Sequence, residues 1–441
     1  MSARAATDGD GSRTTARRGE RMERGLLIFE DQAIEQIGPL VTARPASELM
    51  VGGLTLRERL AQVCGQPVRY AIARPCLQAV LPEWGLTDQR RCASQHGCGA
   101  GAVDRAPLCI HAAWVADTRI WPQIDALEPG EGLTVPAGAG DAPDLLLAYR
   151  ADDCREACRI ADGKARPAKL TRLEGEPGTR LLRHGWELVA WSGELLGEDL
   201  ERGADGDRES IWTHQSAQIH ESAVLDAAGG PIWIGEDVRI APFTTIEGPA
   251  RIGAGARVLG GRIAGSVIGA GCRVRGEVER SVMLNWSNKA HDGFLGHAYV
   301  GSWVNLGAGT TNSDLKNTYG EVRMWEAGAY RPTGRRKLGC LIGDHVKTAI
   351  GTLLPTGGVI GVGAQLFGGA GLAPRWVPAF AWGLGARAEA IEWASFLRTA
   401  RTVLERRGQV LSAAAQALLE QTYENTQGER TQWLGERQRG S

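Results

Sequence analysis

In the second half of the chain an apolar residue returns every six positions. The beats fall at Ile234, Ile240, Ile246, Ile252 and Val258, then at Ile268 and Val274, Val300 and Leu306, and finally at Ile342, Leu354, Ile360 and Leu366, with Thr348 filling one place. Glycine directly follows many of them, as in Ile234-Gly235, Ile252-Gly253, Ile268-Gly269 and Ile360-Gly361. A period of six fits neither an alternating strand nor a helix. It fits a short flat strand with one inward side chain and a corner, three of which close a triangular coil that stacks on the next. An α-helix is excluded because each glycine in it would cost about 1 kcal/mol. Corners also account for the 60 glycines among 441 residues, about twice ordinary usage. The uncharged run at 348–374 is 27 residues long, enough to cross a bilayer, but its eight glycines keep the coil rhythm and argue against a membrane segment.

The flanks follow other rules. Residues 1–24 are polar, carry six arginines, and read as a disordered arm rather than a secretory signal. Residues 25–205 have mixed composition with short apolar runs at 25–29, 107–110 and 144–149, which predict buried strands of an α/β sheet, and 55–63 predicts an intervening helix. The coils are expected over 213–383, one or two amphipathic helices over 386–426, and a frayed polar tail over 428–441. With 50 basic against 51 acidic side chains the net charge is -1, so no global field recruits nucleic acid. Nine cysteines, odd in number and irregularly spaced, point to a reducing cytoplasm rather than a disulfide framework. Cys92, His96 and Cys98, and Cys154 and Cys158, match no standard zinc spacing, and no metal site is expected.

Inside the repeat stand three denser motifs: SNKAHDGFLGH at 287–297, VNLGAGTTNSDLKN at 304–317 and IGDHVKT at 342–348. Together with TARPASELMVGGLTLRE at 42–58, they resemble the GlmU family, bifunctional enzymes with a nucleotidyltransferase half and a glucosamine-1-phosphate N-acetyltransferase half. The branch resembled is that of GlmU-like sugar nucleotidyltransferases with a divergent N-terminal domain. The resemblance implies a left-handed parallel β-helix, a homotrimer with each acetyl-CoA site at a subunit boundary, and an amino-sugar phosphate as the small-molecule acceptor. Acyl transfer to an amine needs a base, and histidine suits that role near neutral pH. His291 lies in a break of the hexads between Val274 and Val300 and aligns with the family's base. Asn305 aligns with a sugar-binding Asn, although an internal Asn ladder would also place it there. Lys289, Asn312, Lys316 and Arg262 are candidates to hold the acceptor, Lys316 within a long excursion that in the family reaches a neighbouring subunit's site. Ala308, Gly309, Thr348 and Thr352 match positions along the pantetheine arm. Phe294 stands where the better-known enzymes carry Tyr.

The N-terminal half departs further. The family's phosphate loop, Gly-x-Gly-Thr-Arg-Met, should follow the first strand, but Glu30-Asp31-Gln32-Ala33-Ile34 stands there. An acidic pair offers neither backbone approach nor a cation for phosphates. Arg44 and Arg57 remain as nucleotide-binding candidates, and Mg²⁺ is expected only if this domain is active. Uridylyl transfer is therefore expected to be impaired or absent. The rival readings are an active sugar-1-phosphate nucleotidyltransferase trimerised by its coils, and a non-catalytic nucleotide-sugar-binding scaffold.

Overall fold

The computed structural model describes residues 25–90, 106–136, 143–175, 177–201, 210–369, 371–385 and 388–439. The N-terminal arm and the Cys92, His96 and Cys98 group lie outside these residues.

The apolar runs of the first half become a seven-stranded sheet. In chain order its strands are β1 (Leu26–Phe29), β2 (Tyr70–Ile72), β3 (Thr87–Asp88), β4 (Leu108–His111), β5 (Glu131–Val135), β6 (Leu145–Arg150) and β7 (Lys169–Arg172). The spatial order is β3-β2-β1-β4-β6-β5-β7, and only β6 runs against its neighbours. Alternation in β1 sends Leu26 and Ile28 to one face and Leu27 and Phe29 to the other, and both faces are covered. Helix α1 (Leu56–Cys64) starts at a capping box in which Thr55 and Glu58 bond each other's backbone, and Gly65 in the left-handed region ends it. Helix α2 (Cys154–Ala161) covers the Phe29 face, and α3 (Gly185–Glu201) packs beside the hairpin at 50–55.

The hexads form the expected β-helix. Its first ladder stacks nine parallel strands, with Ile234, Ile252, Ile268, Met283, Val300, Ile342, Ile360 and Val377 in register. Every predicted beat is buried, Thr348 included. Each buried aliphatic contributes about 1.5–3 kcal/mol relative to an exposed one. The residue before each beat faces outward, and on this ladder Val267, Val282, Tyr299, Leu341 and Val359 are buried against the N-terminal domain. Tyr299 Oη donates to the Met50 carbonyl at 3.1 Å and accepts from the Met50 amide at 2.9 Å. Nearby, Arg44 forms a buried ion pair with Asp344.

The excursion between Asn312 and Leu338 forms an antiparallel hairpin, Arg323–Glu326 with Ala329–Pro332, folded onto its own N-terminal domain. Val322 and Met324 enter that core, and Glu326 meets His184 at 2.8 Å. The C-terminal segment holds three helices, α4 (Trp393–Glu405), α5 (Ala413–Asn425) and α6 (Gln427–Arg439), so residues 427–439 are helical rather than frayed. Their composition is polar, but Trp433 is buried and donates to the Trp376 carbonyl at 3.1 Å, while the Arg430 guanidinium lies 4.3 Å from the Tyr423 ring centre. Helices α4 and α5 bridge the coils to the N-terminal domain through Phe396 on Phe380 and Ser412 on Glu83.

Candidate functional site

The second ladder of the β-helix carries the denser motifs. The expected break of the hexads does not fall at His291: Met283, Lys289 and Leu295 are inward positions six apart, so His291, Asp292 and Gly293 form a regular corner, which lies directly on the next one, the Gly309 amide donating to the Asp292 carbonyl at 3.0 Å. Gly293 adopts a φ of 133°, and a Cβ there would run into the Thr310 carbonyl. One coil further, the Gly351 amide donates to the Ala308 carbonyl at 2.7 Å, and Thr311 to the Thr352 carbonyl at 3.0 Å. Stacking thus gathers His291, Ala308, Gly309 and Thr352 at one corner of consecutive coils. The His291 ring is exposed and makes no hydrogen bond among the described residues, whereas the Asp292 carboxylate is engaged by Arg275 at 3.0 Å rather than by His291.

Asn305 sits on the strand leading into this corner. Its Oδ1 accepts from Asn288 Nδ2 at 2.7 Å on the outer face of the coils, so the two amides form an external rung rather than an internal ladder, and the Asn305 amide N–H groups are left for another partner. Register adds a residue that the sequence reading missed: Lys347 pairs with Asn305 as Asn305 pairs with Asn288. Burial pushes its ammonium down to about 8. The signal was available, since all three residues stand immediately before an inward position.

Several candidates are engaged elsewhere. Lys289 points inward; its Nζ donates to the carbonyls of Arg275 at 3.0 Å and His291 at 3.1 Å, and burial pushes it down to about 8. It braces the His291 corner instead of facing a phosphate. Asn312 is buried and closes both backbone groups of Gly296 at 2.8 and 2.9 Å. Thr348 is buried, accepting from the Gly307 amide at 3.0 Å and meeting Thr310 Oγ1 at 2.7 Å, so its hydroxyl is withdrawn from the surface. Arg262 is held by Glu247 at 2.6 Å, with Glu277 and Glu279 beside it. Lys316 Nζ donates to the Glu321 carbonyl within the excursion.

In the N-terminal domain both nucleotide candidates are also paired. Arg44 is buried on Asp344, and Arg57 grips Glu48 at 2.6 and 3.1 Å. Where the phosphate loop would begin, the Glu30 carboxylate is buried and accepts from the Ala46 amide at 2.6 Å and from Arg74 Nε at 3.0 Å, while Asp31 caps the turn at 32–40. A cleft of about 540 Å³ does open at the carboxyl end of β1, lined by Phe29, Asp31, Thr134 and Arg166. Open α/β sheets bind ligands at that end of their strands. Cys154 lies against Gln89 Oε1 at 3.8 Å in a buried position.

Comparison with known proteins follows the same division. The sugar nucleotidyl transferase family matches residues 26–207. A bifunctional sugar-1-phosphate nucleotidylyltransferase/acetyltransferase of Sulfurisphaera tokodaii is 37% identical over 94 residues, 21% of this chain and 23% of that protein. The bifunctional protein GlmU of Methylococcus capsulatus is 26% identical over 316 residues, 65% of this chain and 62% of its own length. Each match therefore spans less than two thirds of the relative concerned. Among solved structures, the UDP-N-acetylglucosamine O-acyltransferase of Moraxella catarrhalis aligns with 50% of this chain and 98% of its own at 13% identity and a TM-score of 0.23. With a sugar nucleotidyl transferase domain docked on hexapeptide coils, the chain is similar in its organisation to bifunctional proteins of the GlmU kind.

Proposed function

We propose that the chain transfers the acetyl group of acetyl-CoA to the amine of an amino-sugar phosphate of the glucosamine-1-phosphate kind, on a route to UDP-N-acetylglucosamine. The observation that carries this reading is the unengaged His291 ring at a corner whose next coils expose bare backbone. Gly309 and Gly351 stand there at φ 72° and 69°, and a Cβ on Gly351 would meet nothing within 4 Å. That surface suits an extended pantetheine arm, and acetyl-CoA supplies the activated acyl group when bound. His291 takes the proton the amine releases on attack. Asn305 offers its free amide hydrogens to acceptor hydroxyls, and Lys347 supplies a positive charge beside it. Ile350, 83% exposed, and Leu372, 64% exposed, leave apolar surface near this corner, which the neighbouring copy of a homotrimer would cover.

The test is thiol release from acetyl-CoA in the presence of glucosamine-1-phosphate. His291→Ala should lower turnover about 10²–10⁴-fold; unchanged turnover would remove His291 as the base. Acetyl-CoA binding without turnover across a panel of amino sugars would favour the scaffold reading. The cleft beside β1 is the observation that favours nucleotidyl transfer, and Mg²⁺-dependent pyrophosphate release from UTP would establish it. The buried Glu30–Arg74 pair, in place of a phosphate loop, leads us to expect none.

A further inference from the structure

Below the Asn288–Asn305–Lys347 column the same outward position of the second ladder is occupied by arginine on three successive coils. Arg239 pairs directly with Arg257, and Arg257 with Arg273. Like charges set opposite one another on neighbouring strands repel. The turn after α4 adds Arg407, whose Nη1 donates to the Gly271 carbonyl at 3.3 Å. Burial lowers the pKa of Arg407, and Arg273, Arg257 and Arg406 press it the same way. Arg273 Nε is buried with no hydrogen-bond partner.

Among the described residues none of these arginines forms an ion pair, unlike the cations of adjacent positions. Arg262 is flanked by three glutamates and Arg275 by Asp292. A groove of about 410 Å³ runs beside the column, lined by Gln218, His220, Arg239, Pro242 and Arg257. Ser222 Oγ lies 3.0 Å from His220 Nδ1, which leaves Nε2 as that ring's remaining polar atom.

We propose that the Arg239–Arg257–Arg273 column, with Arg407, is a binding site for a diphosphate-bearing ligand lying along the coil axis. Guanidinium forks match phosphate oxygens two at a time, and forks on successive coils suit linked phosphates better than a single one. A bound diphosphate also supplies the negative charge that the column lacks. This site is separate from the His291 corner, and its test does not require acyl transfer.

Calorimetric titration of the full chain with inorganic pyrophosphate, and in parallel with uridine 5′-diphosphate, tests it. Wild type should bind pyrophosphate at low ionic strength and more weakly as salt is added. The double variant Arg257→Gln/Arg273→Gln should bind at least ~10-fold more weakly, while Arg262→Gln should match wild type. Because the double variant relieves repulsion, its melting temperature should be no lower than that of wild type, which separates lost binding from lost folding. Tighter binding of the nucleotide than of pyrophosphate would identify a nucleotide as the source of the diphosphate; equal binding would identify the free anion. Absence of binding by wild type, or equal weakening by Arg262→Gln, would overturn the proposal. So would loss of self-association in the double variant without loss of pyrophosphate binding, which would assign the column to contact between copies.

Discussion

The first and second ladders of the β-helix have similar backbones and share the inward core, yet the residue before each inward beat meets opposite fates. On the first ladder it is Val267, Val282, Tyr299, Leu341 or Val359, buried beneath the N-terminal domain. On the second it is Arg239, Arg257, Arg273, Asn288, Asn305 or Lys347, facing outward with most of its hydrogen-bonding capacity unused. A solenoid thus separates its tasks by face: one column holds the molecule together, and the other is the one along which we place ligand binding. Substitutions on the two should divide between stability and activity.

The largest expected effect lies on the docked side. Asp344→Ala leaves the Arg44 guanidinium buried and unpaired, which should cost about 3–5 kcal/mol in urea unfolding. Arg44→Met together with Asp344→Leu should recover most of that loss. A cost for Asp344→Ala below about 1 kcal/mol would place the pair effectively in water. Leu341→Ala, in the same docked column, should cost about 2–5 kcal/mol.

His345 gives a pH-dependent version of the same comparison. Burial first, then the nearby Lys347 and Arg44, push its imidazole down from 6.5 to about 4, with Asp344 opposing them. A depressed folded-state value means that stability is fully present above about 6.5 and is lost as pH falls toward 4. The loss is on the order of 3 kcal/mol. Melting temperature followed across that window should fall more steeply in wild type than in His345→Asn. The smallest structural effect is expected on the open column. Asn305→Ala should change stability by no more than about 0.5 kcal/mol while raising the acceptor's KM, and a large stability loss would make the Asn288–Asn305 bond structural instead.

How much of this the sequence discloses depends on repetition. Inward positions from Ile234 to Leu366 were legible because each recurs at a fixed interval and is buried for the same reason. Lys347 could have been found by the same counting. The fates of Lys289, Asn312 and Thr348 were harder to read, because a polar residue on an inward beat can bond the backbone of its own coils, and motif similarity does not distinguish inside from outside. The partners of Arg44 and Arg262, 300 and 15 residues away, depend on how separate segments meet. Trp433 and Arg430 anchor α6 in a stretch whose polar composition suggested no structure.

The hairpin between Asn312 and Leu338 carries a final consequence. Val300 and Ile342 are adjacent rungs of the first ladder although the chain travels through the whole excursion between them, while Ile342 and Ile360 are adjacent after a single ordinary coil. The solenoid keeps position by rung rather than by residue number. A corner can therefore admit a lengthy insertion, lengthen it or exchange it, and the rows above and below stay in phase. Contacts between the coils and the N-terminal domain can be revised in this way without moving His291 relative to Gly309.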